Sequence, residues 1–573
     1  MNDNDCGKQQ YRLPQESISL QIGPFSNLVA AHLWNIRKYQ MQYMCVDDIY
    51  HRNEESLEPR CVMVDLDENF PSIRVDEIMA PHNRSPASSQ NDYWGGRSEV
   101  HKVIRSNLDR VITQENLVWE EVLQVQMHKK SFNPLPRWTT SESFDSFHKG
   151  LVGTTCSDTN ESDIESITES IRYFAEACNR VTSISVMSDM HGGFGGLCSS
   201  LLRDIRDDMG NHVMIPLWAM TENSSTTDSL DEDIQLHAQL KNLNIPLCYS
   251  NMIEHCNLFI PVSSCSTAKL VRDFGFTHST SDPDQSNNSH SALSYLAVAT
   301  AVEAASSAYY MSNSVGVVEW CSSATSAGKW PVAMLESSFY RSNDLNNSHH
   351  SPEFSRRILE SFNEYSCFES DEKREHFSNS SVSASNSVGG SAKPFNLRNL
   401  NPFTTSFSSV INGSFAAKFD KNYVYGKPFV NMLNIRSDES NSDLSRCLFN
   451  KGAKSSYFLS NCHQQSHPLI IPYDMTQFVP EPAAIHSIYS SSNNLLKNTN
   501  QLVSSAELSV ISAVGSNALV GSHLSEVVTR WSQRSSRCSV QLAKIGLDED
   551  DCRELEESLT NILTRYDCSP TGL

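Results

Sequence analysis

The sequence predicts an α/β fold in which helices cover both faces of a parallel sheet. Apolar segments of strand length alternate with amphipathic helical patterns through the first half of the chain. The segment Cys61–Leu66 is apolar almost throughout, which is typical of a strand buried on both faces. Because alternating strands and helices favour helical crossovers between parallel strands, we expect one sheet built from successive strand–helix units.

Composition narrows the range of functions. The chain has 573 residues, of which 39% are hydrophobic, and a formal net charge of −22. This charge disfavours nucleic acid and anionic membrane surfaces as partners. The 16 cysteines include no Cys-x-x-Cys pair, so we expect buried thiols in a reducing compartment. The acidic start resembles neither a signal nor a transit peptide, and no run of 18 apolar residues predicts a transmembrane helix.

The first element is a strand followed by a turn and a helix. Alternating apolar residues over 18–22 predict the strand. The segment Gly23–Asn27 predicts the turn, in which Ser26 or Asn27 is available to cap the helix. The helix has an apolar face over 29–36.

The stretch Asp189–Gly196 is the most distinctive in the chain. A helical pattern over 162–178 and an apolar strand over 181–186 precede it, and a further helical pattern over 197–205 follows. A glycine-rich turn between strand and helix directs backbone N–H groups and a helix N-terminus towards a phosphate. Such turns also serve tight packing. The motif alone leaves both interpretations open.

The remaining chain is less regular. Residues 129–160 are polar and predict no element, whereas strands are expected near 213–218, 258–262 and 332–335. Further predictions are helices over 293–310 and 502–531, a final amphipathic helix with an apolar stripe over 555–566, short strands within 396–480, and disordered Ser/Asn-rich insertions at 279–290, 343–351 and 369–393.

Three of these segments, in this order, resemble the tubulin/FtsZ superfamily and more closely its divergent Misato family. They are Ser17–Asn35, Pro59–Asp67 and Tyr173–Ala219. The resemblance implies a tubulin/FtsZ-like nucleotide-fold domain over 16–245 after a disordered segment 1–15. It also implies a smaller α/β or α+β domain with insertions over 246–480 and a helical C-terminal part over 481–573.

The resemblance also implies a degenerate nucleotide site, with GTP as the possible ligand. Its candidate residues are Gly23, Asn27, Asp65, Asp67, Gly192, Gly193, Gly195 and Gly196. In the tubulin signature Gly-Gly-Gly-Thr-Gly-Ser-Gly, the threonine corresponds to Phe194 here, and the first and last glycines correspond to His191 and Leu197. Asp65 and Asp67 match an acidic loop near the phosphates and metal of tubulin, or form a solvated strand end.

No catalytic residue and no resident metal are predicted. Where tubulins carry a loop that serves hydrolysis in the next subunit, we place Asn251–Glu254, which lacks that loop's motif. A carboxylate that positions water is therefore missing, which disfavours GTP hydrolysis. Cys462, His463 and His467 lack a second pair at zinc-finger spacing and predict a polar loop. Cys198 has no identifiable base, which favours a buried structural thiol.

What the Misato resemblance implies about function is a non-enzymatic role in mitochondrial distribution and morphology. It suggests links to microtubule or spindle organisation through assemblies with tubulin, chaperonin and prefoldin. The implied location is the cytoplasm, with peripheral association with the mitochondrial outer membrane. The alternative is a GTP-binding switch or a polymer-forming GTPase, which the surviving glycines support.

Overall fold

The computed structural model describes part of the chain, in segments whose bounds are the following. They are residues 15–39, 41, 44–52, 57–70, 119–123, 125–136, 138, 144–152, 163–221, 243–263, 295, 298–299, 301–307, 309–310, 316–325, 327–341, 430–437, 469–472, 508–516, 518–535, 542 and 547–566. The predicted insertions at 279–290, 343–351 and 369–393 lie outside these segments, as does the Cys462–His467 cluster. Of the segment 1–15, for which the sequence predicts disorder, only Gln15 is described, and its backbone N–H donates to Asp48 at 2.9 Å.

A six-stranded parallel sheet forms the centre of the first half of the chain, as the sequence predicts. Its strand order is β5-β4-β1-β6-β7-β8. In chain order the strands are β1 (Glu16–Ile22), β2 (Tyr50–Arg52), β3 (Leu57–Pro59), β4 (Cys61–Leu66), β5 (Phe132–Leu135), β6 (Val181–Asp189), β7 (Pro216–Thr221) and β8 (Leu258–Ser263), of which β2 and β3 form a separate antiparallel hairpin. Because β8 belongs to this sheet, the sheet extends past residue 245, where the sequence analysis ends the first domain.

Helices cover both faces of this sheet. In chain order they are α1 (Pro24–Tyr39), α2 (Val46–Ile49), α3 (Trp119–Val122), α4 (Phe147–Val152), α5 (Asp163–Glu176), α6 (Gly193–Met209), α7 (243–252) and α8, which includes 301–307. One buried cluster joins α1 and α8 to one face, and another joins α5, α6 and α7 to the opposite face. This arrangement explains why the side chains of β4 are buried along its whole length.

Helix α1 begins at Pro24, earlier than the predicted cap at Ser26 or Asn27. Proline suits the first helical position because its fixed φ matches the helix and its missing N–H would have no helical partner there. Ser26 therefore lies within the first turn of the helix, and its backbone N–H is available for a contact outside it.

A second, mixed sheet follows in the order β11-β10-β12-β9. Its strands are β9 (Met334–Arg341), β10 (Val430–Ser437), β11 (Leu469–Pro472) and β12 (Leu508–Ser516). The predicted helix over 502–531 is wrong in its first part, because β12 pairs antiparallel with both β9 and β10. Strand pairing in the folded chain overrides a short apolar pattern that is compatible with either structure.

The C-terminal helices pack back onto the first sheet's helical layer. Helix α9 (Val317–Thr325) lies before β9, whereas α10 (Ala518–Ser535) and α11 (Glu549–Thr564) follow β12. Asp548 caps α11 in a capping box with Asp551, and Leu555, Leu559 and Ile562 are buried. The predicted final helix is confirmed. Among the helices that the structure describes, none is long and apolar enough to cross a membrane.

A buried ion pair joins the amino-terminal ends of three neighbouring strands. One Glu16 carboxylate oxygen lies 3.1 Å from Arg60 Nη2. The other accepts a hydrogen bond from the backbone N–H of Arg180 at 2.9 Å. Arg60 also donates to the Asp47 carbonyl. The Arg60 and Glu16 side chains are 5% and 4% exposed. The pair fixes β1 between β4 and β6.

We expect Glu16→Gln to lower the free energy of unfolding by about 3 kcal/mol, because it leaves the Arg60 charge buried without its partner. Denaturant titration measures this change. Asp208→Asn is the matched control, since the Arg172–Asp208 pair is exposed. The Asp208→Asn substitution should lower the free energy of unfolding by less than about 1 kcal/mol. Equal costs for the two substitutions would contradict the role given to the buried pair.

Candidate functional site

The candidate site lies at the carboxyl ends of β1 and β6, which are neighbours in the sheet. Each strand leads directly into a helix, β1 into α1 and β6 into α6. Crevices at this edge of open parallel sheets are the usual place for ligands. The structure brings the candidate residues Gly23, Asn27 and Gly192 to this edge.

The Asp189 side chain contacts the start of α1. Phe25 N–H donates to Asp189 Oδ2 at 3.0 Å, and Ser26 N–H donates to Oδ1 at 2.8 Å. The Ser26 hydroxyl donates to the same Oδ1 at 2.6 Å. Asp189 and Ser26 are both buried. One carboxyl group thus satisfies two backbone donors of the first turn of α1, which have no partner within the helix.

Gly23 permits this contact. Its φ is +101°, and a Cβ placed there would lie 2.4 Å from Asp189 Oδ2. Any side chain at this position would displace the carboxyl group and strain the backbone. The Gly23 N–H donates to the Val64 carbonyl at 3.0 Å, which ties the turn to β4. Gly23 is therefore required by the chain's own packing.

Asn27 and Asp65 form a second buried group beside this one. Asn27 Nδ2 donates to the Val64 carbonyl at 2.9 Å and to Asp65 Oδ2 at 3.0 Å. Asp65 also accepts from Leu66 N–H and from Asn69 and Trp119 side-chain nitrogens at 2.8–2.9 Å. Its two oxygens therefore have four donors, and it is not a solvated strand end.

Asp67 differs from Asp65 in its surroundings. It is exposed at the start of a 3₁₀ turn, Asp67–Asn69. Among the residues that the structure describes, no group of three or more His, Cys, Asp or Glu side chains could hold a metal ion. A metal contact by Asp65 or Asp67 stays a prediction without support from the geometry.

The glycine turn is covered by the preceding segment of the chain. Gly193 N–H donates to the Phe144 carbonyl at 2.8 Å. Gly192, with φ +72°, lies so close to this carbonyl that a Cβ would approach it to 2.6 Å. A Cβ on Gly193 would lie 2.5 Å from the Phe144 ring. Both glycines are therefore in contact with Phe144, where a phosphate cradle would need open space.

Helix α4 lies directly against α6. A Cβ on Gly196 would lie 1.8 Å from the Phe147 carbonyl oxygen, and one on Gly150 would lie 1.7 Å from the Gly193 carbonyl oxygen. Gly195 faces α7 instead, where its Cβ would meet the Cys248 sulfur at 2.4 Å. These glycines let helices approach more closely than any side chain allows.

Polar and aromatic contacts fix the covering segment. The Asn244 side chain accepts Phe147 N–H at 2.9 Å and donates to the Asp145 carbonyl at 2.9 Å. The rings of Phe144 and Phe194 lie edge to face with centroids 5.0 Å apart. Phe194 thus packs where the resemblance places a phosphate-binding threonine. Leu197 is buried, and His191 is partly buried.

The arrangement does not fit a nucleotide phosphate at either turn. The N–H groups of Phe25, Ser26 and Gly193 already donate within the chain. A phosphate would have to displace the Asp189 side chain from one turn or the Phe144 carbonyl from the other. Cys198 is fully buried, and burial raises the pKa of its thiol to about 12, so the reactive thiolate is suppressed.

The predicted counterpart of the hydrolysis loop, Asn251–Glu254, lies at the opposite edge of the sheet. It spans the end of α7 and the turn that leads into β8, and Asn251 Nδ2 donates to the Leu247 carbonyl. A groove of about 580 Å³ separates this segment from α11 and is lined by Glu254, Glu554 and Glu557 among others. Helix α11 therefore lies beside Asn251–Glu254.

Sequence reasoning missed the residues that close the site. Residues 129–160 show no periodicity, yet they contain β5, α4 and Phe144. Asn244 and Gly150 carry no local signal, since their partners are distant in sequence. Asp189 offered one signal, because it is the only charged residue of β6.

Two family profiles match overlapping parts of the chain. Residues 15–118 match the Misato Segment II tubulin-like domain, and residues 109–307 match the Tubulin domain. Together they cover the region that contains both turns of the site.

Several curated proteins are similar to part of this chain. Protein DML1 of Gibberella zeae is 27% identical over 219 residues, which are 34% of this chain and 44% of that protein. Protein dml1 of Aspergillus clavatus is 23% identical over 273 residues, 43% and 53% of the two chains. Protein misato homolog 1 of Danio rerio is 21% identical over 318 residues, 44% and 51% of the two. The match spans about half the length of these relatives.

We expect Gly196→Ala to lower the free energy of unfolding by about 3 kcal/mol, because its Cβ meets a backbone oxygen that cannot move aside. Gly195→Ala meets the Cys248 side chain, so Cys248→Ala in the same chain should recover part of its loss. Adding Cys248→Ala to Gly196→Ala should give no such recovery. Denaturant titration of the two single and two double variants measures these effects. If Cys248→Ala restored stability to Gly196→Ala as well as to Gly195→Ala, the contacts described for Gly196 would be contradicted.

The buried carboxyl groups predict a loss of stability with rising pH. Burial raises the pKa of Asp65 to about 6 and that of Asp189 to about 8 from an ordinary 3.8, although their hydrogen-bond donors oppose the shift. The folded chain keeps these protons after the unfolded chain has lost them. The stabilisation is therefore complete below about pH 4 and is lost as the pH rises through 6 and then 8.

Unfolding by denaturant at pH 5 and at pH 8.5 tests this dependence. We expect the fall in stability between the two values to be smaller in Asp189→Asn than in the unaltered chain. Asp208→Asn, which removes an exposed carboxylate, serves as the control and should keep the full fall. An unchanged fall in Asp189→Asn would show that Asp189 does not titrate as described.

Proposed function

Because the chain belongs to the Misato family of tubulin-like proteins, we propose that it is a non-enzymatic protein that acts in mitochondrial distribution and morphology. The family resemblance supports the mitochondrial part of the proposal. In this proposal the chain works as a tubulin-like interaction surface in the cytoplasm and associates peripherally with the mitochondrial outer membrane. Its partners are proteins, with tubulin, chaperonin and prefoldin subunits as the first candidates.

The single observation that carries the non-enzymatic part is the closure of the glycine turn. Phe144 and α4 contact Gly192, Gly193 and Gly196 at distances that exclude even a methyl group. A turn that bound and released a nucleotide would need these neighbours to withdraw. Since Asn244 and Phe194 also hold the segment in place, withdrawal would break several buried contacts at once.

A switch or polymer driven by GTP is the alternative. It is favoured by one observation, the strand–glycine turn–helix geometry at the carboxyl edge of a parallel sheet. Substitution of Asp67 distinguishes the GTPase from the non-enzymatic protein. Asp67 is the exposed carboxylate of the predicted acidic loop, so a GTPase that used it for a metal would depend on it, whereas a scaffold would not.

Calorimetry of the purified full chain with GTP and magnesium is the first test, and we expect no binding up to millimolar GTP. In cells depleted of the protein, both the unaltered chain and Asp67→Asn should restore mitochondrial distribution. Proximity labelling with the unaltered chain should recover chaperonin subunits and mitochondrial surface proteins. Micromolar GTP binding with hydrolysis, or loss of rescue by a folded Asp67→Asn chain, would overturn the non-enzymatic reading. Absence of both partner groups would count against the mitochondrial role.

A further inference from the structure

The start of α1 has the properties of a phosphate site. It follows β1 at the carboxyl edge of the sheet, and its first N–H groups have no partner within the helix. The helix dipole adds a partial positive charge at this end. Phosphate and carboxylate groups are the usual ligands of such an N-terminus. Here the ligand is part of the chain, because Asp189 accepts from Phe25 and Ser26.

Asp189 also connects the end of β6 to the turn between β1 and α1, because its partner Phe25 lies 164 residues earlier in the chain. It is the last residue of β6, and the glycine turn begins two residues later. Its carboxyl oxygens lie on the turn between β1 and α1. A nucleotide phosphate held between these two turns would make the same connection from outside the chain.

The contact is built into its surroundings and is not a chance approach. Only glycine at position 23 leaves space for the Asp189 carboxyl group, because a Cβ there would overlap with it. Ser26 is fully buried and adds a hydroxyl donor to its N–H donor. Asn27, on the next position of α1, connects to Asp65 on β4. Three neighbouring strands therefore converge on the first turn of α1 through polar contacts.

We propose that the Asp189 carboxyl group takes the place of a nucleotide phosphate, so that the chain itself holds the β1–α1 and β6–α6 turns together. This inference rests on the proposed function in one respect, that the site holds no nucleotide. Removing the side chain leaves a space of carboxyl size lined by two N–H groups and one hydroxyl. Small carboxylates are the chemical class that this space accepts.

Chemical rescue of Asp189→Ala by formate tests the proposal on the full-length chain. The substitution should lower the midpoint of thermal unfolding by roughly 5 °C, because buried donors lose their acceptor. Sodium formate at about 100 mM, with sodium chloride at equal ionic strength as the reference, should recover at least half of this loss. The unaltered chain should show no response to formate.

Asp548→Ala is the matched control. The Asp548 side chain also accepts two N–H groups at a helix N-terminus, those of Asp550 and Asp551, but it is exposed. Its removal leaves no enclosed space, so formate should not restore any stability that it loses. Rescue confined to Asp189→Ala would support a built carboxyl site. Equal rescue of both variants, or no rescue of Asp189→Ala, would overturn the proposal.

Asp189→Asn keeps the shape of the side chain and provides a second measurement where Asp189→Ala does not fold. Its amide group places a donor against one of the N–H groups of α1. Hydrogen exchange of a peptide that covers 23–30, measured at pH 8.5 where the Asp189 carboxyl group of the unaltered chain is ionised, should therefore accelerate about tenfold, while a peptide from α11 stays unchanged. Unchanged exchange at 23–30 would contradict the proposal.

The two proposals fail in different experiments. Failed rescue removes the role of Asp189 and leaves the proposed function intact, because Phe144 still closes the glycine turn. Absence of mitochondrial partners removes the proposed function and leaves the rescue result intact.

Discussion

The acceptor that Asp189 provides to the first turn of α1 is the constraint on which the site depends. Backbone donors buried at a helix start must have a partner, because water cannot reach them and an unmade hydrogen bond is costly there. In a nucleotide-binding fold the ligand meets this need. In this chain Asp189 meets it, and Gly23 is required so that the carboxyl group can approach. The site is therefore complete without a ligand.

The glycine turn shows that a motif typical of phosphate binding can also be required by packing within the chain. Glycine is required where a phosphate approaches the backbone, and it is equally required where a helix does. The close approach of Phe144 and α4 requires glycine at positions 192, 193 and 196, because a side chain there would overlap with them. A sequence motif of this kind identifies a fold, because the turn shape is retained. It does not identify the group that lies against the turn.

The sequence predicted the parallel sheet, the glycine turn and the final helix because each has a signal in its own local sequence. Cys61–Leu66 is an apolar run, and Leu555, Leu559 and Ile562 repeat at helical spacing. The closure of the site was not predictable in this way. Asp189 and its donors are 163–164 residues apart, and Phe144 lies in a polar segment without periodicity. The strand Leu508–Ser516 was mistaken for helix because its pairing partners are distant in sequence.

The position of β1 has a consequence for how the chain folds. This strand lies between β4, which follows within about 40 residues, and β6, which follows only after more than 150. Until the ribosome has synthesised β6, β1 has an unpaired edge, and the apolar face formed by Ile18, Leu20 and Ile22 lacks its partners from β6. Sheets that depend on such distant pairing form slowly, and their exposed strands are prone to aggregate. The newly made chain is therefore most exposed to aggregation before β6 has been synthesised.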